Sequence, residues 1–429
     1  MAKVLLLSPP YLELYGRLRR AAGRYFPLGL GYIAAYLRRN GSHKVQMYEP
    51  EAQSLSYRQI AGMIRKHAPD VVGITSATPN FPRALELAQL VRENSQAKIV
   101  LGGVHASALP EFILAHHGEI IDAVVTGEGE QTMLDLVAAL QNGKSLDEVQ
   151  GVAHREDGRI VRNEPRAFIA DLDTLPFPAR DLISQELFMP NLHNARHRRC
   201  LTILTSRGCP FDCSFCASRL VSGRRYRVHS AEYVLEEMQM LKRDYQARQL
   251  IITDDTFTID RERIEAICRG MINGRLNLEW FCFSQVHTVD REILTLMKRA
   301  GCYNIGFGVE SSDPAILKRM GKPIRPEMAL EAVRMAREVG MKTQAFYILG
   351  SPGETREQME ATVRFAGKVG TTLAFFNMLV PYPGTRDFQE FFADVPLEDI
   401  PWEDFVAVGE RCVLENAATP PGDMERIIA

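Results

Sequence analysis

From Lys3 to about Leu140, short apolar runs alternate with stretches whose apolar positions recur at helical spacing. The runs Lys3–Leu7, Lys44–Tyr48, Val71–Thr75, Lys98–Gly102 and Ala123–Thr126 are predicted strands, because three or four apolar or β-branched residues stand between polar and turn-forming ones. Between them the 3.6-residue periodicity predicts helices over Leu28–Arg39, Tyr57–His67, Pro82–Glu93, Pro110–His117 and Glu130–Leu140. Strict alternation of this kind predicts a parallel, doubly wound Rossmann-like sheet, whose ligands bind beyond the carboxyl ends of its strands. The chemically informative residues do follow the strands: SPPY after the first, TSATPN after the third, GGVH after the fourth and GEGE after the fifth.

The pattern changes after about Gly151. GVAHREDGRIVRNEP reads as a hairpin around Asp157-Gly158, and DLDTLPFPARDL is rich in Pro and Asp. A second strand–helix series then begins, with strands predicted at Leu201–Thr205, Gln249–Thr253, Glu279–Gln285, Tyr303–Val309, Lys342–Leu349 and Thr372–Val380. Six such units predict a partial (β/α)6 TIM barrel with its active site at the C-terminal ends of the strands. The expected fold is α/β throughout: residues 1–145 a Rossmann-like domain, 146–198 a linker with a hairpin, 199–385 the partial barrel and 386–429 a small C-terminal capping segment. In that last segment Phe388, Phe391, Phe392 and Trp402 suit either a cap over an apolar substrate or plain core.

Composition narrows the function. Lys+Arg 51 against Asp+Glu 53 leaves a net charge of -2, so no global field attracts nucleic acid or an anionic membrane. The runs Arg196–Arg199 and Arg224–Arg227, and Arg17, Arg19, Arg20 and Arg24, are local features, most simply solvated surface. The leading apolar run is too short for a signal peptide, and none approaches the roughly 18 residues of a membrane span, so a cytoplasmic chain is expected. Eight cysteines in a reducing compartment do not make a disulfide framework.

Five of those cysteines, Cys200, Cys268, Cys282, Cys302 and Cys412, are scattered and read as small buried hydrophobes. The other three stand together in TSRGCPFDCSFCAS: Cys209, Cys213 and Cys216, in the loop after the first strand of the second series. A zinc site normally closes with two separated pairs of ligands, and no second CxxC completes one. Three thiolates from one tight loop suit three corners of a cubic 4Fe-4S cluster, with one iron left open.

CxxxCxxC in the first strand loop of a barrel resembles the radical S-adenosylmethionine superfamily. The resemblance implies that S-adenosylmethionine chelates the open iron and that one electron, from a donor such as flavodoxin or ferredoxin, cleaves it to a 5′-deoxyadenosyl radical. Residue by residue, it implies that Phe215 packs near the adenine. Asp254 and Asp255 would supply polar contacts after the second strand, and Gly308, Glu310 and Ser311 would form a ribose-binding region. Gly350 would skirt the adenine. Each has a plainer reading as loop wall, helix cap or turn.

The first domain, through SPP, PLGLGYIAAYLRRNG, GGVHAS and VVTGEGEQT, is similar to the cobalamin-binding domain found upstream of many such enzymes. That similarity implies cobalamin contacts from Thr75, Ser76 and Thr78, from Gly102, Gly103 and His105, and from Gly127, Glu128 and Gly129. SPPYLELYG contains no histidine, so a DxHxxG cobalt ligand is absent and His105 is expected to be a tail contact or a cap. His116-His117 closes a helix, where cations are favoured.

Together the resemblances imply a methyltransferase that moves a methyl group from methylcobalamin to an unactivated carbon of a small-molecule substrate, the two cofactors meeting in a cleft. The rivals are a radical cyclase, oxidase or ring-rearranging enzyme of the tetrapyrrole-related branch, a radical enzyme whose first domain no longer binds cobalamin, and a non-enzymatic iron–sulfur carrier.

Overall fold

The computed structural model describes residues 1–20, 22–191, 194–407 and 413–414. The side chains of Arg17, Arg19 and Arg20 lie outside the described set, as does Cys412. Two compact units emerge: one holds Met1–Phe188, Ala217–Gly223 and Tyr382–Phe405, the other Met189–Cys216 and Arg224–Pro381.

The first unit is built on strands β1 (Lys3–Leu7), β2 (Lys44–Tyr48), β3 (Val71–Thr75), β4 (Lys98–Gly102) and β5 (Ala123–Val125). They run parallel in the order β2-β1-β3-β4-β5. The chain moves from β1 to β2 and then returns past β1 to β3, so the order reverses there and the strand ends splay into a crevice. Alternate strand residues bury opposite faces. Val4, Leu6, Val71 and Val100 join Leu30, Ala34, Leu136 and Val137 of helices α1 (Leu28–Gly41) and α6 (Gly129–Gln141) in one core.

Two expectations change here. The hairpin, β6 (Val152–Glu156) and β7 (Arg159–Arg162), turns on Asp157 and Gly158, both at positive φ, as foreseen. It is not part of a linker: β6 pairs antiparallel with β5 and the hairpin completes a seven-stranded sheet. An exposed β5 edge would present unpaired N–H and C=O groups, and the hairpin covers it. The proline-rich stretch beyond is docked as well, burying Leu172, Leu175, Ala179, Ile183 and Phe188, with Phe188 edge-on to Phe26 at 5.5 Å. Nor is the C-terminal segment a free cap. Phe388, Trp402 and Phe405 are buried in the first unit, stacked or tilted against one another.

The second unit carries β8 (Cys200–Ile203), β11 (Gln249–Ile252), β12 (Glu279–Ser284), β13 (Cys302–Glu310), β14 (Lys342–Leu349) and β15 (Leu373–Met378). All pair parallel with their sequence neighbours, giving an open six-stranded partial barrel; β9 (Ser206–Arg207) and β10 (Arg227–Val228) form a short antiparallel ladder beside it. Leu250, Ile252, Trp280, Cys282, Ile305, Phe307, Val309, Ala345 and Tyr347 pack outward on the helices. By alternation Phe281, Phe283, Gly306, Gly308, Glu310 and Phe346 take the inner face.

The segment before β8 closes the N-terminal end. Arg196 N–H donates to Gln249 Oε1 (2.7 Å), Tyr303 Oη to the Asn194 carbonyl (2.6 Å) and Gln344 Nε2 to Asn194 Oδ1 (2.9 Å). Arg196 and His197 pair with Glu279 at this same end, opposite the strand ends where ligands bind, so these two members of the basic run are surface pairs. No helix among the described residues is long and apolar enough to cross a membrane.

Candidate cofactor sites

Strand β8 delivers the chain to Thr205, and from there the cysteine loop leaves the barrel. Asp254, just beyond β11, is wholly buried and fixes that departure: its Oδ1 accepts from Thr205 N–H, and its Oδ2 from Thr205 Oγ1 and Ser206 Oγ, all at 2.6 Å. Burial raises its pKa against the pull of Arg263, whose guanidinium bonds the carbonyls of Thr205 and His229 at 2.7 Å. Asp254 is therefore a tie within the loop's base, its bonds spent internally. Asp255, its neighbour, is exposed.

Cys209, Cys213 and Cys216 are free thiols and half-buried, and so is Phe215 between the last two. Cys209 Sγ lies 4.0 Å from Thr256 Oγ1. Burial pushes the Cys213 thiol up to about 12, with Lys322 pulling it the other way, and Cys209 is raised by burial too. A metal cation that binds such a sulfur displaces its proton to solvent, which water alone does not bring about at neutral pH. Three soft donors within eight residues are the donor set that three corners of a cubic cluster take, and Asp254 seats Thr205 and Ser206, from which their loop leaves.

Beside the loop sits a pair that sequence reasoning only half found. β13 ends on Glu310, whose φ of 64° is unusual for a residue with a side chain, after an irregular register against β14 between Gly308 and Glu310. The backbone turn aims Glu310 at Lys322 Nζ, 2.6 Å away, and both side chains are almost fully buried. Gly308 leaves room for the pair: a Cβ would stand 2.5 Å from Glu310 Oε1 and 2.8 Å from Lys322 Nζ, so the two side-chain ends would have to shift. Lys322 follows Met320, whose carbonyl accepts from Ser214 N–H inside the cysteine loop (2.9 Å). His287 lies edge-on to Phe211 of that loop at 5.1 Å. Lys322 and His287 stand alone in sequence, with no motif around them. The one available signal was the need of a buried Glu310 for a cation.

Ser311 is buried with its hydroxyl 3.3 Å from Thr362 Oγ1 and accepting from Asp313 N–H, which makes it a packing residue. Gly350, at φ 83°, and Ser351 donate their N–H groups to Glu354 Oε2 at 2.8 and 3.0 Å. Burial raises Glu354 to about 7 in spite of these bonds. The turn after β14 is thereby stiff, with its backbone held by one carboxyl.

In the first unit the expected contacts fall into two groups. Ser76 Oγ donates to the Gly102 carbonyl (3.0 Å), and Thr78 Oγ1 lies 3.3 Å from His105 Nδ1; both are buried. Glu128 accepts from Ile169 N–H (2.7 Å). Gly103, at φ 96°, and Gly129 are close-packing glycines: a Cβ at Gly103 would meet the Ser76 carbonyl oxygen at 2.5 Å, and one at Gly129 would meet Ile33 at 2.8 Å. Gly102 and Gly127 differ. A Cβ on either would touch nothing nearer than 3.8 and 3.9 Å, and Thr75 beside them is half-buried. Open room at two neighbouring strand ends with a hydroxyl alongside suits a bulky ligand lying across the sheet edge.

His105 is fully buried, stacked on Phe81 at 4.2 Å and edge-on to Trp402 at 4.9 Å. Burial drives its pKa down to about 3, so the imidazole is neutral, an interior ring. His116 and His117 flank Phe112 at their helix end.

These two sites correspond to two matched families. Residues 203–366 match the Radical SAM superfamily and residues 16–137 the B12 binding domain. Over 407 residues, 95% of this chain and 86% of the relative, the chain is 35% identical to an uncharacterized methyltransferase of Pyrococcus horikoshii. It is 30% identical to the cytidylyl-2-hydroxyethylphosphonate methyltransferase of Streptomyces wedmorensis, over 90% of this chain and 81% of the relative. It is 29% identical to an anaerobic magnesium-protoporphyrin IX monomethyl ester cyclase of Rubrivivax gelatinosus, over 94% and 72%. In fold it matches the radical S-adenosylmethionine methyltransferase TsrM of Kitasatospora setae with a TM-score of 0.75 at 20% identity, covering 95% of this chain and 82% of that one.

The chain is thus a radical S-adenosylmethionine enzyme with a cobalamin-binding domain. It belongs to the cobalamin-dependent radical S-adenosylmethionine methyltransferase family, in which cyclases also occur, and its cofactors are a 4Fe-4S cluster, S-adenosylmethionine and cobalamin.

Proposed function

We propose that this enzyme transfers a methyl group from methylcobalamin to an unactivated carbon of a small-molecule substrate. The observation that carries the reading is the cysteine loop after β8, one ligand short of closing a cubic cluster, in a chain that also holds a cobalamin domain. When bound, the cluster and S-adenosylmethionine supply a 5′-deoxyadenosyl radical, and cobalamin supplies the methyl group.

Cys209, Cys213 and Cys216 hold the iron, and Asp254 keeps their loop seated. Phe215 and Gly350 would border S-adenosylmethionine, Asp255 would supply it a polar contact, and Glu310, Gly308 and Ser311 would form its ribose-binding region. On the cobalamin side Thr75, Gly102 and Gly127 border the ligand, and Ser76, Thr78, Gly103, His105, Glu128 and Gly129 shape the loops beneath it. The electron comes from a low-potential donor such as flavodoxin or ferredoxin. A cytoplasmic setting belongs to this reading, since reduced cysteines must meet that donor.

Methyl transfer is favoured over cyclisation by the two methyltransferase relatives that match at 30% identity or more. The test is to incubate the anaerobically reconstituted enzyme with deuterated-methyl S-adenosylmethionine and candidate metabolites, nucleotide phosphonates and tetrapyrroles among them. A product heavier by one labelled methyl group supports the proposal, and loss of hydrogen without label identifies a cyclase.

The glycine pair separates cofactor contact from folding. Gly102→Ala is expected to leave the melting temperature unchanged while weakening cobalamin retention, read from the corrinoid absorption after gel filtration. Gly103→Ala is expected to destabilise the first unit by about 1–3 kcal/mol, because a residue with a side chain is forced to φ 96° against the Ser76 backbone.

A further inference from the structure

Resting on the assignment of Cys209, Cys213 and Cys216 as the iron ligands, we propose that Lys322 is a positioning residue: its buried ammonium holds Glu310 and is the fixed positive charge that eases one-electron reduction of the cluster.

The geometry leads there from three sides. The Lys322 side chain is 3% exposed, and among the described residues its ammonium has one hydrogen-bond partner, Glu310 Oε1 at 2.6 Å. An ammonium carries three N–H donors, so two are uncommitted in a place without bulk water. The chain leading to it is anchored to the cysteine loop by the bond from Ser214 N–H to the Met320 carbonyl. That bond sets the lysine at a defined place relative to Cys213 and Cys216 on either side of Ser214. The β13 end carries backbone strain for the arrangement at Glu310, and Gly308 beside it leaves the pair room.

A surface pair would not be built at such cost, since an exposed ion pair contributes little. Burial disfavours the ammonium, yet the Glu310 carboxylate at 2.6 Å holds it charged. The redox step is simple in its balance. The cluster gains one electron from a low-potential flavin or iron–sulfur donor, no bond to Lys322 forms or breaks, and no proton moves. Adding negative charge to a site already surrounded by thiolates is unfavourable, and a fixed cation nearby in a medium of low dielectric offsets part of that cost. Glu310 works in the opposite direction while keeping the lysine in place.

The test is a potentiometric titration followed by electron paramagnetic resonance, on the full chain reconstituted anaerobically with iron and sulfide and without S-adenosylmethionine. Lys322→Met with full iron content is expected to show a reduced-to-oxidised ratio about tenfold lower at a fixed potential, a midpoint about 59 mV more negative. Lys322→Arg, which keeps the charge, is expected to restore the midpoint. Glu310→Gln, which keeps the lysine and removes the carboxylate, is expected to raise it.

An unchanged midpoint in iron-replete Lys322→Met overturns the proposal. If that variant does not fold, Lys322→Gln decides in the same titration: a lower midpoint supports the proposal, and an unmoved or higher one overturns it. A wild-type chain that takes up no iron overturns the cysteine assignment itself, an outcome distinct from an iron-replete wild type whose midpoint ignores Lys322.

Discussion

Cys213→Ala removes the cluster and with it all reductive cleavage of S-adenosylmethionine. The same result is expected for Cys209→Ala and Cys216→Ala. Two thiolates cannot hold a cubic cluster from a loop this short, and no other cysteine is near: among the described residues Cys200, Cys268, Cys282 and Cys302 are buried in the second unit. Loss of an outer partner of a metal ligand already costs about 10–100-fold, so loss of a ligand is expected to exceed about 100-fold in 5′-deoxyadenosine formed per chain. Iron content and the visible absorption of the cluster should fall together with product. Corrinoid absorption should remain, because the B12 binding match ends at residue 137, far along the chain from the cysteines. A variant that keeps its iron and still forms 5′-deoxyadenosine would refute the ligand assignment.

Asp254→Ala is expected to have the largest effect on stability. The substitution strands three donors, Thr205 N–H, Thr205 Oγ1 and Ser206 Oγ, and removes the buried carboxylate that the Arg263 charge acts on. Removing one partner of a buried charge network costs about 3–5 kcal/mol. The loss should concentrate where β8 hands over to the cysteine loop. Hydrogen exchange over residues 200–216 is therefore expected to quicken far more than over the first unit, with denaturant unfolding of the second unit shifted to lower concentration. Asp254→Asn retains the acceptor for Thr205 N–H and should lose less. Equal exchange in Asp254→Ala and wild type would show that Asp254 is not the anchor.

Much of this was legible from local pattern. Strands β1 to β4 and β14 occupy the residues the apolar runs mark, because a buried parallel strand must be apolar on both faces and a helix must repeat at 3.6. The cysteine loop was legible for the same reason: its chemistry is contained in eight consecutive residues. The hairpin was visible as a turn on Asp157-Gly158, but not as the edge of the first sheet, since the alternation within two strands does not name a third that they join. Phe388 and Trp402 suited either a cap or core, and only their burial beside Phe405 in the first unit decides for core.

The candidate site divides in the same way. Asp254, Ser76 and Thr78 were found as polar residues at strand ends, where ligands bind, yet each spends its bonds on a neighbouring loop. Polarity at a strand end reveals that a group needs partners, but not whether the partner is the protein or a ligand.

What the chain alone determined is therefore its element order, its two strand–helix series and the three-cysteine motif of its radical S-adenosylmethionine domain, since each depends on residues close in sequence. Tertiary structure alone decided which glycines leave room and which merely allow loops to touch. It also decided that Glu310, twelve positions before Lys322, meets that lysine in the interior beside the cysteine loop. A buried ion pair and a cavity are properties of distances between segments, and only the folded chain sets those distances.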